Sequence, residues 1–171
     1  DIWFTQMGVW GFNSRYLVGL NIINLPIEEW LFFLCIPYAC LFTYHCLKVL
    51  IKRDLLAPIA RPFSILLVII LLTVAFFNIR NWYTSVTFLL MSAFLLAHIF
   101  YWKSQFLGRF YLAYFVILPM FFLTNGILTG SWIQDQVVWY NNDENLGIRM
   151  GTIPVEDSIY GMLLLMMVTT G

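Results

Sequence analysis

The sequence predicts an all-α, polytopic transmembrane helical bundle of about five spans with a parallel internal duplication. Three observations carry that prediction. The 171 residues are 61% hydrophobic and 11% charged, with a mean hydropathy of +0.83. Long windows lack Lys, Arg, Asp and Glu altogether, and a proline–acid motif recurs at an offset of 128 residues. This composition excludes a disordered tail, a basic nucleic-acid binder and an ordinary water-soluble domain, whose charged fraction is nearer a quarter. Nine basic residues balance nine acidic ones, so the placement of charge carries the information.

The opening DIWFTQMGVWGF reads as the end of an earlier helix, and the start at Asp1 and the close in MVTTG suggest a fragment. Uncharged windows run over Trp30–Leu47, Pro62–Ile79, Asn81–Trp102, Phe110–Gln134 and Ser158–Gly171. The first four are each long enough to cross ~30 Å of hydrocarbon as helix. The fifth spans only if it begins near Pro154, with Glu156 and Asp157 in its first turn, or if the chain continues past Gly171. Helices are therefore expected over 26–47, 62–79, 84–102, 110–130 and 154–170, because unpaired backbone in lipid is costly and no alternating barrel pattern exists.

Lys48, Lys52, Arg53 and Arg61 lie between the first two spans, and Lys103 and Arg109 between the third and fourth. The opposite connections hold only Arg15, Arg80 and Arg149. Six against three places the 48–61 and 103–109 connections in the cytoplasm by the positive-inside rule. Cys35, Cys40 and Cys46 have neither CxxC spacing nor a disulfide framework, and read as buried, reduced packing residues.

Leu25-Pro26-Ile27-Glu28-Glu29 aligns with Ile153-Pro154-Val155-Glu156-Asp157, and the same offset matches Asn13 with Asn141, Gly19 with Gly147 and Phe32 with Tyr160. Both copies follow a polar loop and open an apolar helix running in the same direction, as in a parallel repeat. Residues 1–52 then form the end of a first repeat whose upstream helices are missing, and 53–171 a second repeat, together one membrane domain.

Pro26 and Pro154 suit the first helical position, and acids in the following turn suit the positive end of the helix dipole. One copy alone is explained by a good helix start at the interface. Two copies in a chain with nine acids make Glu28, Glu29, Glu156 and Asp157 functional candidates. Consecutive acids diverge by about 100°, so one of each pair can face the bundle while its neighbour binds backbone or loop. Phe32, Phe33 and Tyr160 lie four residues beyond Glu28, Glu29 and Glu156, which sets aromatic faces beside the acids. An acid among π faces suits a carbocation intermediate, since ring quadrupoles stabilise positive charge where water would quench it.

NLPIEEWLFFLCIPYACLFTYHCL, the later GTIPVEDSIYGMLLLMM and the preceding WGFN together resemble the lycopene cyclase domain of heterodimer-type or fused integral-membrane carotenoid cyclases, a family with a duplicated P-x-E-[ED] motif. The resemblance covers nearly the whole chain. It implies lycopene cyclase activity, an isomerase-type (intramolecular lyase) ring closure at the ends of a linear carotenoid without net redox change. A protonated carboxyl gives H⁺ to a terminal double bond and a carboxylate later removes a proton. Glu28 and Glu156 are expected as principal acids, with Glu29 and Asp157 as second acid, base or orienting partner, and one motif for each substrate end. The sequence departs from strict duplication at Asp157 for Glu29 and Ser158 for Trp30. The expected partners are lipid-dissolved lycopene, membrane lipids, and a partner subunit or a second copy, with no nucleic acid; the expected location is a prokaryotic cell membrane.

No cofactor and no metal are expected. Two histidines, His45 and His98, cannot build a His-rich diiron site and read as interfacial or packing residues. No G-x-G-x-x-G opens a nucleotide fold, no DDxxD-like cluster suggests a diphosphate substrate, and no lysine lies within a span for a retinal Schiff base. Pro37 and Pro119 are expected to kink their helices, and Asn125, Gln134 and Asp135 to hydrogen-bond loops at the interface, with joining the motif acids as the alternative. Trp3, Trp10, Trp82, Tyr83, Trp132, Trp139 and Tyr140 read as an interfacial aromatic belt. The alternatives in other classes are a small proton- or cation-coupled transporter, which should carry polar residues at mid-membrane depth, and a non-catalytic assembly subunit.

Overall fold

A computed structural model describes residues 1–102 and 106–170. A short helix α1 (Ile2–Met7) and strand β1 (Trp10–Phe12) precede a two-residue hairpin, β2 (Asn21–Ile22) and β3 (Leu25–Pro26), which runs directly into α2 (Ile27–Leu50). Helices α3 (Ala57–Phe77), α4 (Trp82–Leu96) and α5 (Leu107–Leu128) follow. Strand β4 (Val138–Tyr140), a second hairpin of β5 (Arg149–Met150) and β6 (Ile153–Pro154), and α6 (Val155–Thr170) complete the chain. The last turn of α4 widens to a π-helix over Ala97–Tyr101.

The expected bundle is present. Among the described residues four helices are long and apolar enough to cross a membrane: Ile27–Leu50, Ala57–Phe77, Trp82–Tyr101 and Leu107–Leu128. The fifth, α6, has 16 residues, about 24 Å at 1.5 Å per residue, and carries Glu156 and Asp157 in its first turn. The second span begins five residues earlier than expected, at Ala57, with Pro58 in its first turn, where a missing N–H is harmless. Arg61 had bounded the uncharged window, but one charge near a helix end does not stop a helix whose long side chain can reach the interface. Lys103 of the expected basic connection and Gly171 lie outside the described residues.

Helix α4 is the centre of the bundle: Met91 and Leu95 are fully buried, packed with Leu71, Phe110, Leu163 and Met166 from three neighbouring helices. Thr84 meets Glu156 near the starts of α4 and α6, and His98 meets Thr170 near their ends, so the two helices run parallel. Ser64 gives its proton to the Ala60 carbonyl, and so accepts from the Tyr111 hydroxyl at 2.5 Å, joining α3 to α5 inside the core. Arg109 donates to the Lys52 carbonyl, which brings the two basic connections to one end of the bundle, opposite the motif acids.

His98 is fully buried against Phe94, Trp102 and Phe106, a packing role as expected, and His45 is exposed. The cysteines are free, but the expectation that they are buried fails: Cys35 is exposed and Cys40 and Cys46 are half-buried. All three lie on α2, which presents most of its surface outward, where a small apolar thiol is as suitable as any lipid-facing residue.

The two motif segments fold alike, with several hydrogen bonds in common. Asn13 and Asn141 each accept from the amide two residues on, at 3.1 Å in both copies. The amides of Ile27 and Val155 donate to the carbonyls of Leu20 and Ile148, again 128 residues apart. The two hairpins have matching registers, Asn21 with Pro26 and Arg149 with Pro154. Their tight turns need a left-handed residue, supplied by Gly151 (φ 68°) in the second copy and by Ile23 (φ 62°) in the first. A β-branched residue is strained there. Ile23 is 74% exposed, so Ile23→Gly loses little packing. It is expected to raise stability in detergent by up to about 1 kcal/mol, relief of ~1–2 kcal/mol less the entropy cost of glycine, read as a rise in the unfolding midpoint.

Candidate active site

Strands β1 and β4 come from the two copies and pair with each other. The register Trp10↔Tyr140, Gly11↔Trp139 and Phe12↔Val138 relates corresponding residues by a local two-fold axis. The hydrogen bonds flanking the ribbon obey the same symmetry, Asn13 to Val137 and Asn141 to Val9. Gly11 is required at the axis, because the Trp139 indole lies where a Cβ would project.

Beneath this ribbon lies a cavity of about 380 Å³ between α2, α5 and α6. Its lining is predominantly apolar, including Ile36, Pro37, Ile117 and Leu164, with few polar groups. Three of those are carboxyls: Glu29 and Asp157, the second acid of each motif, and Asp1, whose carboxyl accepts from the Tyr160 hydroxyl at 3.0 Å. Val116 and Met120 line the cavity and are also exposed on α5, so it opens sideways toward the surroundings of the helices.

Each acid pair is divided as the helical geometry requires, one inward and one to the loop. Glu28 accepts the Val18 amide at 2.7 Å, and Glu156 accepts the Leu146 amide at 2.8 Å, the same bond in both copies. Glu156, fully buried, also accepts from the Thr84 hydroxyl at 2.6 Å. Glu28 and Glu156, expected as the principal acids, are thus turned to the loops that precede their helices and do not line the cavity, whereas Glu29 and Asp157 do. Both motifs contribute an acid to the same cavity. Pro26 and Pro154 close their hairpins immediately before the helices, one residue ahead of the helical position expected for them.

Asp157 is 4% exposed and both of its oxygens accept phenols: Tyr83 on Oδ1 at 2.6 Å and Tyr140 on Oδ2 at 2.7 Å. Burial first, and then the Asp157 carboxyl beside it, pushes the Tyr140 phenol well above its ordinary value, so it remains a donor. Glu29 makes no side-chain hydrogen bond among the described residues. Rings surround these groups: Trp10 meets Tyr83 edge-on at 5.1 Å, Tyr83 stacks on Tyr140 at 6.1 Å, and Tyr160 lies 6.4 Å from Trp10.

Phe32, Phe33 and Tyr160 all line the cavity, as does Asn125. Gln134 is exposed, and Asp135 forms an exposed ion pair with Arg15 at 2.9 Å, so neither joins the acids. The aromatic-belt reading asks for exposed rings, and Trp3, Trp82, Trp132 and Trp139 are exposed. It is corrected for Trp10, Tyr83 and Tyr140, which are cavity walls. Extending the repeat alignment upstream would have placed Tyr140 opposite Phe12; no local signal marks Tyr83. Among the described residues no cluster of His, Cys, Asp or Glu could hold a metal ion.

A sequence model of one protein family, described as lycopene cyclase, matches residues 1–47 and 80–171. No curated protein and no solved structure shows significant similarity to the chain.

Proposed function

The chain belongs to the lycopene cyclase family, and on that premise we propose that it closes rings at the ends of a linear carotenoid by acid–base catalysis, an isomerisation without net redox change. The observation that carries this reading is one predominantly apolar cavity that holds the second acid of both motifs among aromatic rings, with a lateral opening on a membrane bundle. A hydrocarbon substrate resides in lipid and can enter sideways. The lining excludes water, which would capture a cation, and the faces of Trp10, Tyr83, Tyr140 and Tyr160 stabilise positive charge as it forms. Protonation of a terminal double bond gives a tertiary cation, attack by the neighbouring double bond forms the ring, and loss of a ring proton to a carboxylate fixes the new double bond. No step calls for a redox cofactor.

The matching hydrogen bonds of the two copies support an internal duplication, divided as residues 1–52 and 53–171. The shared position of the basic connections supports a cytoplasmic location for both, in a prokaryotic cell membrane, by the positive-inside rule. A partner subunit or a second copy beside the outward face of α2 belongs to the same reading.

Expression of the complete reading frame containing this chain, in cells that accumulate lycopene, is expected to yield cyclic carotenoids. The double variant Glu29→Gln/Asp157→Asn is expected to leave the pigment linear. Unchanged lycopene with the wild-type protein present in the membrane would remove this reading and bring a cation-coupled carrier forward.

A further inference from the structure

The two motif acids in the cavity, Glu29 and Asp157, occupy corresponding positions in the two copies, but their surroundings break the symmetry. Asp157 accepts a hydrogen bond on each oxygen, from Tyr83 and from Tyr140. Two phenols aimed at its oxygens, at 2.6 and 2.7 Å, favour the ionised form of this carboxyl. The residue corresponding to Tyr140 is Phe12, which lines the same cavity with no hydroxyl to give. Glu29 therefore lacks the phenol that holds its counterpart as an anion. Among the described residues no side chain donates a hydrogen bond to Glu29, and within an apolar cavity the charge of the Asp1 amino group is what favours its anion. The two acids also differ in reach, since Glu29 extends one methylene further.

We infer that Glu29 delivers the proton that starts ring closure and that Asp157 removes the proton that ends it, with Tyr83 and Tyr140 as positioning residues for the base. This assignment rests on the cyclase reading above. The Glu29 O–H bond breaks as a C–H bond forms at the terminal double bond, leaving a tertiary cation and a Glu29 carboxylate. The π pair of the neighbouring double bond forms the ring C–C bond and carries the charge into the ring. Asp157 takes a proton from the adjacent ring carbon, and that C–H pair becomes the ring double bond. Return of this proton from Asp157 to Glu29 restores both groups, so atoms and electrons balance with no co-reactant.

The roles separate in what each variant leaves behind. Glu29→Gln cannot start the reaction, and consumption of lycopene is expected to fall by ~10²-fold or more. Asp157→Asn still starts it. Consumption is expected to stay within about tenfold of wild type, while the products shift to other double-bond isomers of the ring and to tertiary alcohols from water capture. Tyr140→Phe removes one donor and is expected to show the same shift in product ratio more weakly, a readout that simple loss of stability does not move. Phe12→Tyr supplies the missing phenol and is expected to slow consumption without changing the product ratio. The experiment compares the four variants with wild type in lycopene-accumulating cells, at membrane levels matched by immunoblot, with full separation of residual substrate and products. Wild type that cyclises lycopene, with scrambled products in Glu29→Gln and no consumption in Asp157→Asn, overturns the assignment and leaves the cyclase reading standing. So does a product ratio unchanged in both Asp157→Asn and Tyr140→Phe. Wild type that forms no cyclic product fails the cyclase reading itself.

Discussion

Alanine in place of Glu156 is expected to cost roughly 2–5 kcal/mol of stability, the largest loss from any single motif substitution, because it strands buried donors. Glu156 is fully buried, and its Oε1 accepts both the Leu146 amide and the Thr84 hydroxyl. Those bonds tie the β4–β5 connection and the start of α4 to the first turn of α6. The Thr84 hydroxyl can turn back to its own helix, whereas the Leu146 amide has no other acceptor within the described contacts. Glu156→Gln keeps an oxygen at Oε1 and is expected to stay within about 1 kcal/mol of wild type. Unfolding midpoints in detergent, measured beside pigment yields, separate structure from chemistry. If Glu156→Gln unfolds normally yet forms no cyclic product, then Glu156 takes part in the reaction and its loop bonds are incidental.

A ring introduced at Gly161 is expected to reduce conversion by ~10²-fold while leaving the protein folded in the membrane. Gly161 lines the cavity, and 128 residues earlier the first copy has Phe33 at the corresponding place. A Cβ at Gly161 would already lie 3.2 Å from the edge of the Phe121 ring, so a Phe there must either push Phe121 aside or fill the cavity. Either outcome displaces a bound end group from the acids, and misplacement of about 1 Å costs on that order in rate. Gly161→Ala requires only a few tenths of an ångström from Phe121 and is expected to retain most activity. The comparison is made by rates of lycopene disappearance at equal membrane levels. Full activity in Gly161→Phe would show that the substrate does not occupy this part of the cavity.

What the sequence makes legible is whatever is local and periodic. Uncharged windows locate α2 to α5 within a few residues, and proline followed by acids locates the starts of α2 and α6, because both signals lie within one or two turns of helix. The repeat identifies which acids matter as a set. It does not say which acid of a pair faces the cavity. A 100° step between neighbours is fixed by the helix, but its absolute orientation depends on what packs alongside. Sequence therefore favours Glu28 and Glu156 as the principal acids, yet Val18 and Leu146 donate to them and hold them toward the loops. Tyr83 and Tyr140 were hidden for a related reason. An aromatic residue near an interface has the same sequence appearance whether it faces headgroups or a carboxylate. The hairpins and the ribbon are too short for any strand period to register.

The pairing of β1 with β4 has a consequence for how the protein is made. Trp10 leaves the ribosome before its strand partner Tyr140, which follows only after α5 has been synthesised. Contacts this distant in sequence form late, because the entropy of closing so long a loop must be met before any of them is rewarded. Helices α2 to α5 can enter the lipid one at a time with their backbones satisfied, while the wall over Glu29 stays open and Asp157 is still to come. Nascent and prematurely ended chains thus insert into the membrane with the cavity unwalled and only one of the two motif carboxyls in place, and the cavity closes once the chain through α6 is made.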